Sequence, residues 1–283
     1  MVLRTHQTKT EPSLWLSLFY LGFINLVFLL LSASCNTDAD TANCSELFGK
    51  PNDSTGLDNS ACSPTCRCHR EPWIAPAYTA EVVEKFKVKK LSNPFPNLGQ
   101  DPYADPNFAA YPTDGFCGVL YEDDERLTYS LKTYTSESDA QLAGAFITHG
   151  GACGLCSTLT DLAVYIANPD LTGPVRTCGF KGILESPEAN LACLTEIGFT
   201  LPCAQIWYYN TTNTRKECEV CFDLLNAAYN QKDGSLNACL QCDEDQSGPI
   251  FKAVSARTRR NSGLPTAICR PCIGVYPLVH DYL

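Results

Sequence analysis

Cys218-Glu-Val-Cys221, seventeen intervening residues, then Cys239-Leu-Gln-Cys242 is the best-ordered cysteine spacing in the chain, and the fold turns on how it is read. In a cytosolic protein this pattern reads as a zinc site. In an oxidising compartment the same residues read as disulfide partners. Cysteines three apart on a helix share one face, so two antiparallel helices over residues 216–229 and 236–242, broken at Lys232-Asp-Gly234, would bridge in nested fashion, Cys218 to Cys242 and Cys221 to Cys239. No glycine-bearing knuckle accompanies Cys218-Glu-Val-Cys-Phe222. Disulfides are therefore the expectation here, and no metal site or cofactor is assigned.

The compartment follows from the rest of the chain. Seventeen cysteines stand against one methionine in 283 residues, several times ordinary cysteine usage. Arg4, His6 and Lys9 precede an uncharged run over residues 13–34 that is rich in Leu and Phe. That run is longer than the ~7–15 residues of a signal-peptide core and long enough to span ~30 Å of hydrocarbon. Residues 1–35 are expected to be a signal peptide or a signal anchor. Ser32, Ala33 and Ser34 suit a signal peptidase, and cleavage after Cys35 leaves sixteen cysteines, an even number. Either way the N-terminus faces the cytosol and the remainder lies in the lumen or outside, held to the membrane through residues 13–34 if uncleaved and secreted otherwise. Sequons at Asn43, Asn52 and Asn210 fit a glycoprotein of the secretory pathway.

Composition narrows the class further. An apolar share of 45% with 18% charged residues is globular rather than disordered. A net charge of −10 argues against a nucleic-acid partner. Polar residues 36–71, holding four cysteines, read as a disulfide-pinned stalk, and 72–115 as a proline-rich arm with a short helix over 79–91. A compact disulfide-rich domain is expected over 116–283. It opens on a hairpin, because residues 119–134 alternate apolar and polar around Glu122-Asp-Asp-Glu125. Those four acids serve the turn; a hard cation such as Ca²⁺ would need EF-hand spacing that is absent. Ser138 is a possible cap for a short helix, and an amphipathic helix follows over 157–167. Ser186-Pro opens another that Gly198 closes, and Thr200-Leu-Pro opens a third. Its Trp207, Tyr208 and Tyr209 fit either core packing or an aromatic ligand shelf. The expected fold class is thus α+β, predominantly helical and disulfide-rich, behind an N-terminal hydrophobic membrane segment.

The candidate chemistry sits at His149-Gly-Gly-Ala-Cys-Gly-Leu-Cys156, between a short apolar strand and a helix N-terminus, where partial positive charge favours a thiolate. Gly151-Ala-Cys-Gly-Leu-Cys156 resembles the nucleophile helix of papain-like cysteine proteases. That resemblance implies Cys156 as nucleophile and His280, far downstream on a strand, as base. Ser157 stands where an aromatic is expected, Gly150 where the oxyanion-hole glutamine would be, and no asparagine follows His280. The same segment also resembles the strand, CxxC, helix arrangement of thioredoxin-like proteins, with Gly263-Leu-Pro-Thr266 similar to their cis-proline turn; this implies a redox pair of Cys153 and Cys156. Neither resemblance covers more than about twenty residues.

A thiol-dependent hydrolase or transferase would use Cys156 with His280 or, as alternate base, His149, and Cys153 as structural or redox partner. The competing assignment pairs both cysteines with others elsewhere, leaving a non-catalytic extracellular module that binds a protein or a small molecule. Arg257-Thr-Arg-Arg260 admits three readings: a furin-type processing site, an anion pocket, or a solvated helix end.

Overall fold

The protein is described from a computed structural model over residues 44–68, 71–105, 107 and 112–283. The hydrophobic run, Cys35 and Asn43 lie outside these residues. Among the described residues no helix is long and apolar enough to cross a membrane.

The described residues from 44 onward form one compact unit. Strand β1 (Leu47–Phe48) pairs in parallel with β2 (Cys62–Ser63) and antiparallel with Arg270–Pro271 near the C-terminus. Beside them β3 (Thr65–Cys66) pairs with β4 (Trp73–Ile74). Cys62–Cys269 and Cys66–Cys272, each closing more than 200 residues of chain, lock this junction. Cross-links over loops of that length remove the most freedom from the unfolded chain. The proline-rich arm wraps the core: helix α1 (Ala80–Lys87), capped by Thr79, buries Val83 and Phe86. Its Lys85 and Lys87 pair with Glu81 and Glu84 on a solvated face.

The main sheet has four strands in the order β5 (Lys90–Leu91), β7 (Thr128–Tyr134), β6 (Phe116–Tyr121), β8 (Phe146–Gly150). The hairpin of β6 and β7 has the expected acidic turn, in which Asp123 accepts the N–H groups of Leu127 and Thr128. Those bonds hold its carboxyl below the ordinary range. Helix α2 (Glu137–Leu142) is capped by Ser136 rather than Ser138.

Six further helices complete the fold as α3 (Leu159–Ala167), α4 (Thr172–Leu184), α5 (Pro187–Ile197), α6 (Leu201–Glu217), α7 (Ala238–Gln246) and α8 (Gly248–Ser255), the last ending before β9 (Arg270–Pro271). Capping chemistry sets several ends: Ser186 accepts the Ala189 N–H, Pro187 occupies the first turn of α5, and Gly198 ends it at φ +115°. The buried Asp161 carboxylate joins two helix starts, accepting the hydroxyls of Thr158 and Thr200 and the Thr200 N–H. The expected helix over 216–229 does not form. Past the end of α6 the chain makes a single 3-10 turn at Glu219–Cys221 and then irregular turns. Cys218 and Cys221 are instead tied to α7 by disulfides, and that tether sets the path of the chain here.

Candidate functional site

All sixteen cysteines from Cys44 onward are paired, in eight disulfides. Cys218–Cys242 and Cys221–Cys239 are nested as the spacing implied, and they clamp the turn after α6 onto α7. These sulfurs offer no zinc site. The sulfurs of Cys44, Cys68 and Cys272, which lie within 4.8 Å of one another, also belong to disulfides.

Cys156 is bonded to Cys203, joining the start of α3 to α6, and Cys153 is bonded to Cys117 on β6. Neither carries a thiol, and they are not bonded to each other. The nucleophile and the redox pair expected at Cys153 and Cys156 therefore have no thiolate to work with. All described peptide bonds are trans, so the turn at Gly263 lacks the cis-proline of the thioredoxin-like arrangement.

His149 and His280 are both buried, and both face backbone carbonyls rather than a cysteine. His149 Nδ1 lies 2.8 Å from the Gly150 carbonyl, which only accepts, so Nδ1 carries the proton; Nε2 takes the Ser157 hydroxyl at 2.7 Å. Ser157 Oγ in turn accepts the Gly154 N–H. This serine and histidine have base-to-hydroxyl geometry, yet both have zero exposure and no substrate can reach them. His280 Nε2 donates to the Ser262 carbonyl, and its Nδ1 is 3.0 Å from the Tyr282 hydroxyl. Burial, reinforced by the nearby Arg257 cation, pushes His280 down to about 3 and His149 well below its usual range. Both are neutral at physiological pH.

The organiser of this region is a residue that looked like surface charge. Arg257 is fully buried and donates to the carbonyls of Cys156, Thr148 and Ser157 and to the hydroxyls of Thr148 and Ser262. Its planar fork fits this array of acceptors as an ammonium would not. Arg259 donates to the carbonyls of Tyr165 and Asn168 at the open end of α3, with its guanidinium 5.3 Å from the Tyr165 ring. Helix C-termini leave such carbonyls unpaired. Arg260 lies 3.8 Å from Glu244. With Arg257 buried and residues 260–262 in a 3-10 turn, the segment is not an extended processing site. Gly263, at φ +65°, turns so closely that a Cβ would sit 2.8 Å from the Leu278 carbonyl oxygen.

A pocket of about 390 Å³ opens on another face, walled by α4, α6, α7 and α8 and the turn after α6. None of Cys153, Cys156, His149 and His280 lines it; Arg259 and Arg260 do. Val175, Phe180, Ile183, Phe222, Leu225 and Phe251 supply apolar surface. Trp207 and Tyr208 of the expected aromatic shelf line it too, Trp207 packed edge-on against Phe251 at 4.7 Å. The Cys221–Cys239 disulfide forms part of the wall. Glu244 sits at the charged edge among Arg270 at 2.6 Å, Lys252 at 2.7 Å and Arg260. Burial opposes its ionisation, but the three cations outweigh it and hold the carboxyl below its ordinary range. Burial raises the neighbouring Asp243, which accepts hydrogen bonds from Asn210 and Thr214. The α4 part of the pocket escaped sequence reasoning. Its signal was there in Val175, Gly179 and Ile183 at a spacing of four, two apolar residues flanking a gap on one helix face.

Residues 187–278, about a third of the chain, match a family described as "Family of unknown function (DUF8771)". The matched stretch runs from α5 through β9 and contains most of the pocket wall. No curated protein and no solved structure matches the chain.

Proposed function

We propose that this is a disulfide-stapled binding module of the secretory pathway, extracellular or luminal, whose helical half receives a small-molecule ligand. The observation that carries it is the pocket: its volume and mixed lining are those of ligand sites, and the Cys221–Cys239 bridge braces its wall. Eight disulfides support the oxidising compartment. The pairing of Cys153 and Cys156 with distant cysteines supports binding over thiol catalysis.

Gly179 offers a direct test. A Cβ there would meet only Thr211 Cβ, at 3.9 Å, so a larger side chain has room at its root and grows into the pocket. The neutral dye Nile red should brighten on the native protein, and Gly179→Phe should abolish the brightening with circular dichroism unchanged. Equal brightening in the folded variant, or none in the native protein, counts against the pocket as a binding site.

A further inference from the structure

The pocket's charge runs opposite to that of the molecule. The chain carries −10 overall, yet six lining side chains are basic (Arg176, Arg215, Lys252, Arg259, Arg260 and Arg270) and two are acidic, Asp243 and Glu244. Lys252, Arg260 and Arg270 share the single carboxylate of Glu244. The other three arginines form no ion pair among the described residues: Arg176 donates to the Leu225 carbonyl, Arg259 to those of Tyr165 and Asn168 with the Asp170 charge nearby, and Arg215 is exposed on α6. Arg259 uses one donor on each terminal nitrogen for these carbonyls, and a guanidinium has five N–H groups. On the same wall the buried Tyr165 hydroxyl and Trp207 indole face each other, while Asn190 Oδ1 is buried with no hydrogen-bond partner. Native proteins leave few such groups.

An excess of guanidinium beside an apolar surface matches one ligand chemistry. We infer that the pocket takes an amphiphile whose apolar body lies among Val175, Phe180, Phe222 and Phe251 and whose oxyanion head is held by Arg176, Arg215 and Arg259. Guanidinium forks bind carboxylate and phosphate oxygens through paired, charge-assisted hydrogen bonds. A neutral or cationic head would leave the arginines unmatched, and a cation would be repelled. This assignment rests on the pocket being a ligand site, as proposed above.

The test compares four heads on one chain, each below its micelle concentration: laurate, monododecyl phosphate, dodecanol and dodecyltrimethylammonium, titrated by calorimetry on the full-length protein. At least one oxyanion should bind roughly tenfold or more tightly than dodecanol, with the preference shrinking as salt is raised, and the tighter of the two identifies the head. Arg176→Gln with Arg215→Gln, which removes one carbonyl contact and one exposed cation and leaves Arg259, should remove most of the oxyanion preference over dodecanol. If dodecanol binds as tightly as both oxyanions, or the double variant keeps the oxyanion preference, the head assignment is overturned while the pocket stands. If none of the four binds and Nile red stays dark, the pocket reading itself falls.

Discussion

Arg257 and Thr148, 109 residues apart, meet at two points: Nη1 donates to the Thr148 carbonyl at 2.8 Å and Nη2 to its hydroxyl at 2.7 Å. The same guanidinium holds the carbonyls of Cys156 and Ser157. It therefore fastens the end of β8 to the start of α3, while Cys156–Cys203 fastens that start to α6. Arg257→Met would leave buried carbonyls at three residues without their donor. The expected cost is on the order of 3–5 kcal/mol, read from denaturant unfolding with disulfides intact. A loss below about 1 kcal/mol would show that water replaces the guanidinium.

Acid should destabilise the fold through the same cluster. His280 is depressed to about 3 and His149 is also depressed, so the unfolded state binds more protons than the native state once pH falls below about 6.5, the ordinary histidine value. Asp161 acts the other way: burial raises it to about 6, so between the ordinary aspartate value and 6 the native state holds one proton that the unfolded state lacks. His280 alone takes up about one proton on unfolding between roughly pH 4 and 6, a loss of about 1.4 kcal/mol per pH unit as pH falls, with His149 acting in the same direction and Asp161 opposing. His280→Gln should flatten that slope. An unchanged slope in the folded variant would remove His280 as its source.

Asn210 should carry no glycan. Its amide nitrogen donates to Asp243 and its oxygen accepts from Tyr103, and the residue is buried against α7. Asn52 is exposed, with its amide bonded to Asp170 at the surface. Glycopeptide mapping of protein from a secretory host should find the Asn210 peptide unmodified. A glycan there would require α6 and α7 to pack differently.

What could be read from the chain was what local chemistry decides. The acidic hairpin turn and Ser186-Pro and Gly198 around α5 rest on residues within a turn or two, and the nested pairs at Cys218–Cys242 and Cys221–Cys239 on a three-residue spacing that a 3-10 turn keeps on one side as a helix does. Long-range partners were not visible in this way. His149 through Cys156 has the local form of a reactive thiol site, strand then turn then helix; the residues that cancel it, Cys117 and Cys203, lie 36 and 47 positions away. Arg257 reads as one of three clustered arginines because nothing adjacent to it marks burial; its acceptors come mostly from about 100 residues upstream. Helix α4 carries little local signature because Thr172-Gly-Pro-Val-Arg-Thr-Cys-Gly-Phe-Lys-Gly182 is poor in helix formers, and its Cys178 is tied to Cys193 of α5.

If Cys156 is a structural residue of a binding module, its sulfur is closed to alkylation in the folded protein. Peptide mapping under non-reducing conditions, with an alkylating agent present before unfolding, should find Cys156 linked to Cys203, Cys153 linked to Cys117, and no alkylated Cys156 in the native protein. A free Cys156 that alkylates rapidly near neutral pH, with Cys203 bonded elsewhere or free, would contradict that role and return the thiol site to consideration.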